Sequence, residues 1–223
     1  MKILLLDGSP KAQHSASAHY LRAMEAFLGG QQTLLWRDAR SFDGAAVARD
    51  LLDQDALVIA FPLYVDGIPS HLLVFLEAME KSLKEHQAAA RVYVLCNAGF
   101  FEARQTRLAL EMMKIWCEKS GLAWGKAIGI GAGGMALAAP IGSGPFAKLG
   151  KELQTLAGLV LAGQSDHDCF VEPDFPRFLY KTIAHFSWRS QARKNGLSGK
   201  ALHRRHSYVP PARHAPAQAP SNP

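Results

Sequence analysis

Five short apolar runs, at residues 2–6, 33–36, 56–61, 91–96 and 124–130, constrain this chain more than any other feature. Each is bounded by turn-forming residues. Each is followed by a stretch with helical spacing, at 17–28, 45–52, 70–85, 102–120 and 146–162. Strands that are apolar on both faces must be covered on both, and the following helices provide the cover. Right-handed crossovers then leave few arrangements. The expected fold is α/β, a doubly wound five-stranded parallel sheet of order 2-1-3-4-5.

Beyond the fifth helix, Pro176 can open a further helix running to about Lys194, with Phe178, Leu179, Ile183, Phe186 and Trp188 as its apolar side. That side is expected to pack on the domain or on a partner subunit. From Ser198 the chain is rich in Pro, His, Arg and Ala without periodicity, the composition of a disordered tail. The division expected is a domain over 1–165, a C-terminal helical extension over 166–196 and a basic tail over 197–223. The tail carries Lys200, Arg204, Arg205 and Arg213 and no acid, leaving 21 basic against 19 acidic side chains elsewhere. A body so nearly balanced offers no nucleic-acid face. No apolar run reaches the length of a membrane span. The chain opens on a strand and not on the apolar stretch of a signal peptide. Cys96, Cys117 and Cys169 are scattered, with no CxxC pair, which argues against a disulfide framework and against a metal or iron–sulfur site. These features point to a cytoplasmic, reducing location.

In a sheet of this order, ligands sit outside the carboxyl ends of the strands, where the order reverses between strands one and three. Three loops fall there. The first, GSPKAQHSAS, offers Gly8 for a sharp turn, hydroxyls at Ser9, Ser15 and Ser17, a cation at Lys11 and a helix start. Together these can cradle a phosphate; equally, Ser15 or Ser17 can be a plain N-cap. The absence of GxxxxGK[ST] excludes a nucleoside-triphosphate P-loop. The second loop, PLYVDGIPS, carries Tyr64. The third, NAGFF, offers Asn97, Gly99 and the rim aromatics Phe100 and Phe101. Tyr64 and Phe100 either wall a ligand or pack partly into the core.

The order and spacing of "GSPKAQHSAS", "PLYVDGIPSHLLVFLE" and "NAGFFEA" resemble the three cofactor loops of the flavodoxin-like NAD(P)H-dependent oxidoreductases, the FMN-reductase and quinone-reductase superfamily. The segment PRFLYKTIAHFSWRSQARKNGL resembles the C-terminal part of one bacterial branch. The resemblance implies non-covalent FMN, with Ser9, Lys11, Ser15 and Ser17 at its phosphate. It places Pro62, Leu63, Tyr64, Val65 and Asp66 along the ribityl chain and ring, and Asn97, Ala98 and Gly99 in the third loop beside Phe100. It implies NAD(P)H as co-substrate, with hydride passed through FMN to a quinone, a flavin or another small acceptor, and two subunits that close each other's pocket. The cofactor carries the chemistry, so no catalytic side chain is required. Lys11 stands where many members have Arg and gives up bidentate phosphate contact. The other readings of the same fold are a flavodoxin-type electron carrier and a cofactor-less regulatory protein.

Two further signals need an interpretation. GIGAGGM matches GxGxxG at Gly129, Gly131 and Gly134, but no helix follows at once and Glu152 falls inside a later helix. The segment is expected to be a flexible rim near the pocket mouth. The nine histidines show no ligand spacing, so no metal site is expected.

Overall fold

The computed structural model describes residues 1–30, 32–86 and 88–204. In chain order the strands and α-helices are β1 (Lys2–Asp7), α1 (Ala16–Leu28), β2 (Thr33–Asp38), α2 (Gly44–Leu51), β3 (Ala56–Pro62), α3 (Ser70–Glu85), β4 (Arg91–Asn97), α4 (Arg107–Lys119), β5 (Ala123–Ile130), α5 (Ala147–Ala162), β6 (Cys169–Val171) and α6 (Arg177–Lys194). The strands form one parallel sheet of order β2-β1-β3-β4-β5-β6. The fold is α/β and flavodoxin-like, with the expected 2-1-3-4-5 order intact and one strand added.

Alternation along each strand divides the core in two. Leu4, Leu6, Leu57 and Ile59 point to the face covered by α2, α3 and α4, where Val47, Leu72, Met79 and Met113 are buried. Ile3, Leu5, Ala56 and Val58 point to the opposite face, where α1 and α5 bury Tyr20, Leu21, Leu153 and Leu156. Both faces of the central strands are therefore dry, which is why these strands read as unbroken apolar runs.

The sixth strand departs from the expected five. Residues 169–171 lie within the stretch assigned from sequence to the extension, yet they pair with β5 at Ile128, Gly129 and Ile130. Three residues are too few to show a periodicity, and the pairing depends on a neighbour remote in sequence. Gly129 makes room for it: a Cβ there would stand 2.7 Å from Phe170 Cδ1. Just before the strand, Asp168 Oδ1 accepts hydrogen bonds from Ala127 N (2.8 Å) and Trp124 Nε1 (3.1 Å), and Asp166 pairs with the buried Lys126 ammonium at 2.8 Å.

The chain divides into two compact units, the first ending at Pro176 and the second starting at Arg177. In the second unit α6 closes itself. Gly196 is left-handed (φ 76°), Leu197 N–H donates to Ala192 O at 2.9 Å, and Gly196 N–H donates to Arg193 O at 3.0 Å. Within the sequence-predicted tail, residues 201–203 form a short 3-10 turn, and residues 205–223 lie outside the described residues. Among the described residues no helix is long and apolar enough to cross a membrane.

Candidate functional site

The carboxyl ends of β1, β3 and β4 converge, and a single buried side chain ties them together. Asn97 Nδ2 donates to Ser17 Oγ (3.1 Å) at the start of α1 and to Phe61 O (3.0 Å) in β3. Its main-chain carbonyl accepts from Leu63 N–H at 2.8 Å. Sequence reading placed Asn97 in a ligand-facing loop. In the structure both of its amide protons are used internally, so it ties the strand ends together. Ala98 is likewise committed: its N–H donates to Ile130 O and its carbonyl accepts from Gly133 N–H. Of the third loop, Gly99 and Phe100 reach the surface, with Phe100 56% exposed.

The first loop brings three hydroxyls and the start of α1 together at its inner side. Gly8 N–H donates to Ala60 O, holding the turn against β3. A Cβ on Gly8 would stand 3.0 Å from Phe61 Cβ, so the turn approaches the sheet too closely for a side chain. Ser9, Ser15 and Ser17 are all buried. Each hydroxyl oxygen already accepts one hydrogen bond, from Lys11 N (3.2 Å), Ala18 N (3.0 Å) and Asn97 Nδ2 (3.1 Å) respectively. A hydroxyl that accepts keeps its proton for donation. The three serines thus retain O–H protons for donation beside the positive end of α1. The open question about caps also resolves: Ser15 is the N-cap of α1. Lys11 is exposed, and its carbonyl accepts from the Arg40 guanidinium.

Arg40 was not among the residues singled out from sequence. It follows β2, and because β2 lies beside β1 its side chain reaches the first loop while also pairing with Asp38 at 3.1 Å. The signal was available in the strand order, which sets the end of β2 next to the end of β1. A cavity of about 530 Å³ opens beside the first loop, lined by Asp7, Gln13, His14, Ser15, His19, Arg22 and Leu137, among others. Burial raises the pKa of the Asp7 carboxyl, opposed by the Ser9 N–H and by Arg40. Burial also lowers the pKa of His71, whose ring lies against the Gly8 backbone at the start of α3. Among the described residues no group of His, Cys, Asp and Glu side chains could hold a metal ion.

The second loop is a tight antiparallel turn. Tyr64 and Gly67 exchange hydrogen bonds at 3.0 and 3.1 Å, and the central residues Val65 and Asp66 both have positive φ, 49° and 59°. This is the geometry of a type I′ turn, which Asn and Gly adopt readily and a β-branched residue does not. Val65 is fully exposed and Tyr64 is 43% exposed, so the strain is not repaid by burial. Strained backbone of this kind clusters at functional sites. The Val65→Asn variant is expected to gain about 1 kcal/mol in stability, since the left-handed conformation costs a branched residue about that much. A thermal or urea melt checks it; a loss of stability would mean that Val65 makes a contact which its exposure conceals.

GIGAGGM is neither a dinucleotide fingerprint nor a flexible rim. Gly131, Ala132 and Gly133 are buried. Their N–H groups donate in turn to Val171 O, Phe100 O and Ala98 O, stitching β6 and the third loop to the end of β5. At Gly129, Gly131 and Gly133 the missing side chain makes room for a neighbour. A Cβ on Gly131 would meet Phe101 O at 2.0 Å, and one on Gly133 would meet Asn97 Cβ at 2.9 Å. Beyond Gly134 the segment returns to the surface, and Leu137 joins the cavity wall.

No protein-family model matches the chain, and no curated protein matches it. Solved structures do. An apo NADH:FMN oxidoreductase superposes with a TM-score of 0.58 at 15% identity, covering 74% of this chain and 90% of its own. A flavodoxin from Streptococcus pneumoniae TIGR4 gives 0.54 at 14% identity, covering 72% and 99%. An NADPH-quinone reductase from P. pentosaceus gives 0.51 at 14% identity, covering 70% and 95%. The strand order and these likenesses together establish that the chain has the flavodoxin-like fold.

Proposed function

We propose that this chain is an FMN-dependent oxidoreductase that draws on NAD(P)H and delivers to a small acceptor such as a quinone or a flavin. The observation that carries the reading is the trio of buried serine hydroxyls at the tip of α1, each accepting a bond from the protein and keeping its proton. That donor set suits a phosphate monoester, so the first loop fits the phosphate of FMN. Bound there, FMN supplies the redox chemistry. The chain's own residues do the rest. Ser9, Ser15 and Ser17 hold the phosphate, and Lys11 adds charge from the surface. Pro62 and Leu63 lead out of β3 towards the turn at Tyr64, Val65 and Asp66. Tyr64 and Phe100, both exposed at the ends of adjacent strands, supply aromatic walls for a flat ring and shield it from water. Gly99 completes the third loop, which Asn97 and Ala98 hold in place.

The reading includes a homodimer. The face formed by α3 and α4 exposes Val74, Leu108, Met112 and Ile115 beside an apolar groove of about 220 Å³ lined by Ile68, Leu73 and Trp116, among others. Phe75 of α3 is itself buried in the core, so the contact falls on its exposed neighbours. Met112 Sδ lies 4.0 Å from where a Cβ on Gly67 would stand, so a second copy on this face would adjoin the Tyr64 turn. The three thiols are free, which suits the cytoplasm.

The test is a reconstitution. Protein soaked in FMN and passed over a sizing column is expected to elute yellow, at the volume of a dimer, and to bleach anaerobically on addition of NADH or NADPH. Retained colour without bleaching by either nucleotide would favour the electron carrier, a role that the flavodoxins among the structural neighbours keep in view. Colourless protein would favour the cofactor-less reading.

A further inference from the structure

We propose that α6 is a docking helix for an anionic lipid surface. Its 18 residues include five Lys and Arg and no Asp or Glu. From Arg177 to the end, the chain holds 9 of its 25 Lys and Arg residues and none of its 19 Asp and Glu residues. A cationic segment this free of acids suits an extended negative partner. Several carboxylates of residues 1–176 are already engaged by their own cations: Asp50 by Arg37, Asp38 by Arg40, Glu80 by Lys84, Glu111 by Arg107 and Asp166 by Lys126.

The apolar residues of α6 select lipid among negative partners. Phe178, Phe186 and Trp188 are 73%, 75% and 76% exposed, and Ile183 is 53% exposed. Leu179, Ile183 and Phe186, spaced i, i+4 and i+7, share one side of the helix. Trp188 projects roughly 160° away from Phe186, at about 100° per residue. A rigid groove on a folded partner accepts one stripe and would leave the other side wet. A bilayer interface accepts both: aliphatic and Phe side chains sink below the headgroups, an indole rests among them, and Arg and Lys extend to the phosphates. Three of the five cations, Arg189, Arg193 and Lys194, gather in the last third beyond Trp188, while Arg177 and Lys181 lie among the apolar residues. Nucleic acid would use the aromatics and the cations, but Leu179 and Ile183 have nothing to stack on there.

The inference does not depend on FMN, and its test uses the full-length protein with no cofactor readout. Sedimentation with vesicles of phosphatidylcholine is compared with sedimentation on phosphatidylcholine mixed with phosphatidylglycerol. Binding to the mixed vesicles is expected to exceed that to phosphatidylcholine at least tenfold and to weaken with salt. The triple variant Arg189→Gln, Arg193→Gln, Lys194→Gln is expected to lose about a hundredfold, at about fivefold per cation near an anionic leaflet. Trp emission is expected to shift to the blue on mixed vesicles, and the shift to vanish in Trp188→Phe. Circular dichroism confirms that each variant is folded. Absence of sedimentation on both vesicles, or equal binding by the triple variant, overturns the proposal. So does tighter binding of a single-stranded oligonucleotide than of mixed vesicles, or a self-association that the triple variant abolishes.

Discussion

Replacing Gly131 by alanine is expected to destabilise the domain by about 3 kcal/mol or more, the range in which overpacking against immovable neighbours falls. The new Cβ would stand 2.0 Å from Phe101 O and 2.9 Å from Ala103 N, and neither main-chain atom can swing aside as a flexible side chain would. The backbone must part, and what parts is the seam that positions the site. Gly131 N–H holds Val171 O in β6, and the next two N–H groups hold Phe100 O and Ala98 O in the third loop. Urea denaturation reads the stability loss. Gly134→Ala is the control: a Cβ there meets nothing within 4 Å, and the residue is exposed, so it should behave almost as wild type. If the two variants prove equally stable, the packing account of GIGAGGM is wrong.

The second large effect is on cofactor affinity. Ser15→Ala with Ser17→Ala is expected to weaken FMN binding on the order of a hundredfold, from two lost hydrogen bonds to a charged group at about 1.5 kcal/mol or more each. The stability cost is separate and smaller. Ser15 caps α1 through Ala18 N–H, and loss of a cap costs about 1 kcal/mol. Ser17→Ala removes one acceptor of the Asn97 amide, which keeps its bond to Phe61 O. Fluorescence titration of FMN into apoprotein, paired with a melt, separates the two effects. An unchanged dissociation constant with a lowered melting temperature would return both serines to a purely structural role and remove the main support for the phosphate site.

Much of this was legible in the residues. Strands buried on both faces announce themselves as continuous apolar runs, and alternation with helices leaves little freedom in the order. The rim that carries the candidate site follows from that order, because loops after strands one, three and four must become neighbours. Ser9, Ser15, Ser17 and Lys11 could be singled out because a short polar loop between a buried strand and a helix start has few uses. Tyr64 and Phe100 could be placed at the rim, and both are exposed there.

Other features depend on atoms far apart in the chain meeting at close range. Asn97 looks like a ligand group until Ser17 and Phe61, 80 and 36 residues away, take up its amide protons. The segment GIGAGGM reads along the chain as a flexible rim, and only the fold shows that Phe170, the Phe101 carbonyl and Asn97 occupy the space that side chains at Gly129, Gly131 and Gly133 would need. β6 is a strand because β5 offers it an edge. Hydropathy and turn chemistry act over a few residues and can be read along a line; steric exclusion and hydrogen-bond pairing act through space, and their partners become known only when the chain has closed on itself.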